Sequence, residues 1–148
     1  MIRGVVIVGT LLLGAGVVAA QQDLVAQRAS LMKANGKNIG TVLSATAKGD
    51  KPYDQAAIDA ALNVLEDTAK KLPALYPDGT KGLKTDGDFR ASPKIWENRA
   101  GFEAEIAAFA KAVSEAKTKM KDIDSLKASL PSIGKQCDSC HEGFRLRS

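Results

Sequence analysis

Five consecutive residues near the C-terminus, Cys137-Asp138-Ser139-Cys140-His141, hold both cysteines and the only histidine of a 148-residue chain. Four kinds of chemistry use such crowding: a thiol redox pair, a structural zinc site, a disulfide, and covalent attachment of a haem. A thioredoxin-like pair belongs beside a βαβ pattern, and the chain carries no strand signal. A structural zinc site takes about four protein ligands, so a carboxylate would have to complete the set. A disulfide across two intervening residues closes a loop too small to constrain the unfolded chain. Covalent haem accounts for every position: two thiols add to two vinyl groups, the spacer sets the separation of the sulfurs, and the next residue offers an imidazole to iron.

Export fits that chemistry, because bacterial haem attachment of this kind takes place outside the cytoplasm. The chain opens with Arg3, an apolar run from Val5 to Val18 and the small pair Ala19-Ala20, followed by polar Gln21-Gln22-Asp23. This is the pattern of a secretory leader, too short for a convincing span. A retained anchor is the alternative. Cleavage after Ala20 puts Val18 and Ala20 at the two small-residue positions, so residues 1–20 are expected to be removed and the mature protein to begin at Gln21. Removing 20 of 148 residues leaves 128, one domain with its own core, and removing Arg3 lowers the net charge from +4 to +3. So modest and unclustered a charge argues against nucleic acid as a partner.

The elements that must position the motif are helical, with apolar residues recurring at steps of three and four. A first segment runs from a cap at Asp23 to Gly49, with Val25, Arg28, Met32, Gly36, Ile39, Leu43 and Ala47 on one face; Gly36 and Gly40 weaken it or admit a close neighbour. A second opens at Asp54, carries Ile58, Leu62, Leu65, Ala69 and Leu72, and stops at Pro73. Residues 73–92, with their prolines and glycines and no periodicity, read as a long surface crossover. A third helix starts at Ser92-Pro93 with a stripe from Ile95 through Arg99, Phe102, Ile106, Phe109 and Val113 to Ala116, and should be the most regular. After a turn at Lys121-Asp122, the fourth carries Leu126, Leu130, Ile133 and the haem motif on one face, and Pro131 should kink it or delay its start. The expected fold is all-α, an antiparallel four-helix bundle with haem attached near the C-terminus.

Four stretches carry a resemblance over essentially the whole mature chain. These are Arg28-x-x-x-Met32-Lys33, Lys48-Gly49-Asp50-Lys51-Pro52-Tyr53-Asp54, Lys94-Ile95-Trp96, and Cys137 through Arg145 with the haem motif. The chain resembles the class II c-type cytochromes, the cytochrome c prime family. The resemblance implies that Cys137 and Cys140 hold haem c, one per chain, and that His141 is the proximal iron ligand. It also implies that Phe144 and Arg145 lie on the proximal side and that the helix with Arg28 and Met32 faces the distal side. Position 144 is Phe where many relatives have Tyr.

Most of that family leave iron five-coordinate and bind nitric oxide or carbon monoxide; a smaller low-spin branch has a methionine of the first helix on the iron and carries electrons. Once Met1 leaves, only Met32 and Met120 remain to serve. Met120 precedes the last turn of the bundle, roughly 25 to 30 Å along it from His141, whereas the levels of Met32 and His141 differ by about one helical turn. Met32 is therefore the expected sixth ligand and single-electron transport the expected function, with five-coordinate gas binding as the alternative and a Met32 that merely fills core as the plainest reading. Arg28, one turn before Met32, and Arg145, one turn after His141, are candidates for the haem propionates. Trp96 is expected to pack in the core and the lysines to form the solvated face. No second histidine exists to act as acid or base, which argues against an enzyme. Expected partners are periplasmic or membrane-bound redox proteins, and relatives often pair through their first two helices, so a homodimer is a further expectation.

Overall fold

A computed structural model of the chain describes residues 13–84 and 89–146. The described residues form helices α1 (Leu13–Asn38), α2 (Ala45–Lys48), α3 (Gln55–Lys71), α4 (Lys94–Glu97), α5 (Arg99–Lys119) and α6 (Ile123–Phe144). They assemble as a four-helix bundle in which α6 packs chiefly on α5, α5 on α3, and α3 on α1. Among the described residues no helix is long and apolar enough to cross a membrane.

The first helix departs from expectation at both ends. Asp23 is no cap: among the described residues α1 runs from Leu13 straight through it, because Ala19-Ala20-Gln21-Gln22 offers no breaker and a cap requires non-helical backbone. Residues 1–12 of the expected leader lie outside the described residues. At Ile39–Ser44 the helix widens into a π-helical turn before α2. There the Asn38 side chain donates to the Ala34 carbonyl (2.9 Å) and Thr41 Oγ1 to the Lys37 carbonyl (2.7 Å). Both side chains draw on carbonyls that the regular ladder uses. Gly49, at φ 87°, then ends the helix in the left-handed conformation that glycine adopts without strain.

Local chemistry places the other starts. The Asp54 carboxylate accepts from the Ala56 and Ala57 amides to open α3, and Asp122 with Ser125 forms a reciprocal capping box at α6. The expected third helix is broken, since Asn98 leaves helical geometry at φ −131° and its side chain accepts from the Gly101 amide at 3.0 Å. Thus α4 is a single turn and α5 starts anew. Pro131 neither delays nor ends α6, which is continuous through it.

The core has two parts. At the end where α5 turns into α6, Leu43, Ile58, Leu62, Leu65, Val113, Met120, Leu126 and Ile133 are all fully buried. Each such side chain contributes roughly 1.5–3 kcal/mol by leaving water. At the other end Leu72, Leu75, Tyr76, Ile95, Phe102 and Ile106 form a second cluster, against which Met32, Cys140 and Phe144 are only partly buried. The crossover builds this second part. Two 3-10 turns, Leu72–Leu75 and Asp78–Thr80, carry it back across α1, so it is a wall of the interior and not the surface connection its composition suggests.

Candidate functional site

Cys137, Cys140, His141 and Phe144 stand at positions i, i+3, i+4 and i+7 of α6 and so share one helical face. That face lines a cavity of about 460 Å³. Opposite, α1 contributes Arg28, Met32, Asn35 and Gly36, while Ile95, Phe102, Ile106 and Phe109 make an apolar floor. Beyond the backbone of its own helix and its chain neighbours, nothing among the described residues lies within 4 Å of where a Cβ would stand on Gly36 or Gly40, so these glycines admit no neighbouring helix; Gly36 opens onto the cavity instead.

Two further contacts fix the motif. Ser139, in the spacer between the cysteines, donates to Glu105 of α5 at 3.0 Å. Beyond α6 the chain pairs with the end of the crossover, the Ser92 amide donating to the Phe144 carbonyl and the Leu146 amide to the Arg90 carbonyl, both at 3.0 Å. This strap brings Phe89, Arg90 and Ala91 to the cavity rim beside Arg145.

Both cysteines are free and half-buried. Burial raises the Cys137 thiol, with Asp138 adding to the effect, and pushes Cys140 up to about 11, helped by Glu105 and Cys137. A redox-active pair needs the opposite, a thiolate favoured by lowered pKa. Burial, and after it Arg145, lowers His141, which keeps its imidazole neutral with a lone pair for a metal. Among the described residues no three His, Cys, Asp or Glu side chains converge as a metal site, so the motif lacks the partners a zinc ion requires. Two adjacent protonated thiols, a neutral imidazole, an apolar floor and a thioether on the facing wall are instead a donor set that fits a covalent haem.

The other expected residues divide. Met32 is half-buried on the cavity wall, whereas Met120 is fully buried in the packed end and is not part of the lining. The Phe144 ring meets Phe102 edge-on at 5.4 Å. Arg145 is exposed at the rim. Arg28 lines the cavity but is only 4% exposed, and its fork is already engaged: Nε donates to the Leu75 carbonyl at 2.7 Å and Nη2 to Thr80 Oγ1. Its guanidinium lies 3.9 Å from the centroid of the Tyr76 ring. Arg28 therefore clamps the crossover onto α1, a role its helical spacing does not reveal. Trp96 is packing, as expected, with Nε1 donating to the Pro77 carbonyl at 3.3 Å and its ring edge-on to Tyr76. Tyr76, Glu105 and the 89–91 segment are site residues that periodicity could not find, because two lie in the aperiodic crossover and Glu105 sits beside the apolar stripe of α5.

A family model described as Cytochrome C' matches residues 23–145. The chain belongs to the cytochrome c' family. It carries one covalently bound haem c, and the two half-buried cysteines fit that attachment. Cytochrome c-556 of Rhodopseudomonas palustris is 58% identical, over 98% of this chain and 97% of that one. The NMR-validated structural model of oxidised R. palustris cytochrome c556 superposes with a TM-score of 0.76, covering 86% of this chain and 98% of that one. Cytochrome c' of the same organism is 39% identical over 99% and 97% of the two chains. A nitric oxide complex of a mutant cytochrome c prime from Alcaligenes xylosoxidans is 29% identical, with a TM-score of 0.74 over 86% of this chain and 97% of that one.

Proposed function

We propose that the chain is a periplasmic carrier of single electrons whose haem iron is held between His141 and Met32. The observation that carries this reading is the contrast between the methionines: Met32 is a half-buried thioether on the wall facing His141, while Met120 is sealed in the core at the far end. When bound, the haem supplies a one-electron iron(II)/iron(III) couple. Cys137 and Cys140 hold it through thioether bonds, the neutral His141 offers its lone pair, and the soft Met32 sulfur favours the reduced metal. Both ligands ride on helices fixed by packed cores, so neither has to move when an electron arrives.

Arg28 Nη1, which neither Leu75 nor Thr80 engages, and Arg145 at the rim are assigned to the haem propionates, and Phe144 to the proximal face. Residues 1–20 are assigned to a leader removed on export, leaving Gln21 as the first residue. Periplasmic or membrane-bound redox proteins are the partners this role implies, and pairing of two copies through α1 and α3 is compatible with it.

Spectra of the holoprotein test the assignment. Low-spin signatures in both oxidation states, with slow or weak carbon monoxide binding because a protein ligand must be displaced, are expected. A high-spin protein that binds carbon monoxide readily would replace the electron carrier with a second reading, a five-coordinate gas-binding cytochrome. The nitric oxide complex of the Alcaligenes protein favours that second reading, and in it Met32 is packing alone.

A further inference from the structure

The lining of the cavity is charged unevenly. Arg28, Lys33, Lys37, Arg90 and Arg145 border it, and against these cations the described residues set a single carboxylate, Glu105 of α5. Glu105 is half-buried, with the buried Phe102 three residues before it and Phe109 four after, so it stands at the edge of the apolar floor. Its neighbour Glu103 is exposed and paired with Arg99 at 2.7 Å. Glu105 has no such partner, for among the described residues it meets no cation at ion-pair distance.

The contact it does make leads into the haem motif. Ser139, between the two cysteines, donates to Glu105 Oε1 at 3.0 Å, and the carboxylate also acts on Cys140, adding to burial in raising that thiol. Glu105 therefore belongs to the wall that carries the attachment cysteines and His141. Across a largely apolar wall a charge is felt more strongly than across water. Reduction of a haem iron removes one positive charge from the site, so a fixed negative charge beside the attachment favours the oxidised form.

We propose that Glu105 holds the reduction potential of the haem down, by its charge and not through its hydrogen bond, as the counterweight to the cations of the lining. The proposal rests on the covalent haem alone. It holds for either coordination of the iron and is independent of Met32.

Redox titration of the holoprotein tests it, comparing Glu105→Gln, Ser139→Ala and Glu103→Gln with the wild type. Glutamine keeps the size of the side chain and an oxygen that accepts from Ser139 but loses the charge. At a fixed ambient potential the ratio of reduced to oxidised protein should rise roughly 3- to 10-fold in Glu105→Gln, the scale of one partly shielded charge. Its optical spectrum should stay that of the wild type, because no iron ligand changes. Ser139→Ala loses the hydrogen bond and keeps the charge, so it should shift the ratio much less, and Glu103→Gln should leave it unchanged. Intact mass verifies one haem per chain in each variant. An unmoved potential in Glu105→Gln overturns the proposal. So does an equal shift in Ser139→Ala, which would make the hydrogen bond the determinant, or in Glu103→Gln, which would make net charge the cause. Lost haem attachment or an altered spectrum in Glu105→Gln also overturns it, since Glu105 would then act by positioning the motif. The spin state of the wild-type protein reports on Met32 separately.

Discussion

At the end of the bundle where α5 turns into α6, Met120 is fully buried, its carbonyl accepting from Tyr53 at 3.4 Å and Gln55 at 3.1 Å, and the helices close on one another completely. At the other end the same four-helix pattern opens around Met32 into a space of about 460 Å³. The stripes that build the two ends have the same period, though the closed end is chiefly aliphatic and the open end richer in aromatic rings. They differ in what completes them. One end is finished by Leu43, Leu126 and their neighbours, and the other only by a group that the genetic code does not encode. A core is thus not defined by apolar side chains alone; a cofactor can be its missing part.

The largest test of that contrast removes the missing part. At ~24 cal/mol per Å³ the space would cost about 11 kcal/mol if wholly enclosed, comparable to the entire stability of a typical domain. The double variant Cys137→Ala, Cys140→Ala should lose the covalent adduct by intact mass and much of its helicity at the hollow end by hydrogen exchange, while the Met120 end retains more. Recovery of wild-type protein with two free thiols, or with one zinc and no haem, would remove the cofactor from the account.

Exchanging the methionines should give opposite outcomes. Met120→Ala is expected to leave the spectrum and the reduction potential untouched and to lower stability by about 2–5 kcal/mol, as buried truncations do. Met32→Ala should convert the iron to high spin and lower its potential, since a thioether favours the reduced metal, at a smaller loss of stability because the side chain is only half-buried. If both variants lose only stability, Met32 is a second Met120 and the electron-carrier proposal falls.

Smaller effects should stay local to one end. Arg28→Lys keeps the charge and loses the fork that holds Leu75 and Thr80, for about 1–3 kcal/mol, with exchange protection falling across residues 72–80 but not around Met120. Asn98→Ala removes the cap that starts α5 and should shift the denaturation midpoint by about 1 kcal/mol without changing the haem spectrum. A spectral change in the Asn98 variant would mean that the hollow end is less rigid than its packing implies.

The residues themselves determined the helical class, the starts at Asp54 and Asp122, the face shared by Cys137, Cys140 and His141, and the preference for Met32 over Met120. All of these follow from groups within a few residues of one another or from the 1.5 Å rise of a helix. Tertiary structure decided what such a period cannot encode. Asp23 has the chemistry of a cap, but a run of good helix formers before it carries α1 straight through. Asn98 interrupts an unbroken apolar stripe because one side chain satisfies one amide. The crossover has no repeat to read, and its place as a cavity wall depends on Arg28 reaching Leu75 and Thr80, 47 and 52 residues away in sequence. Tyr76 enters the cavity wall only once those contacts hold its ring, since its burial arises from distant neighbours and leaves no trace in local spacing.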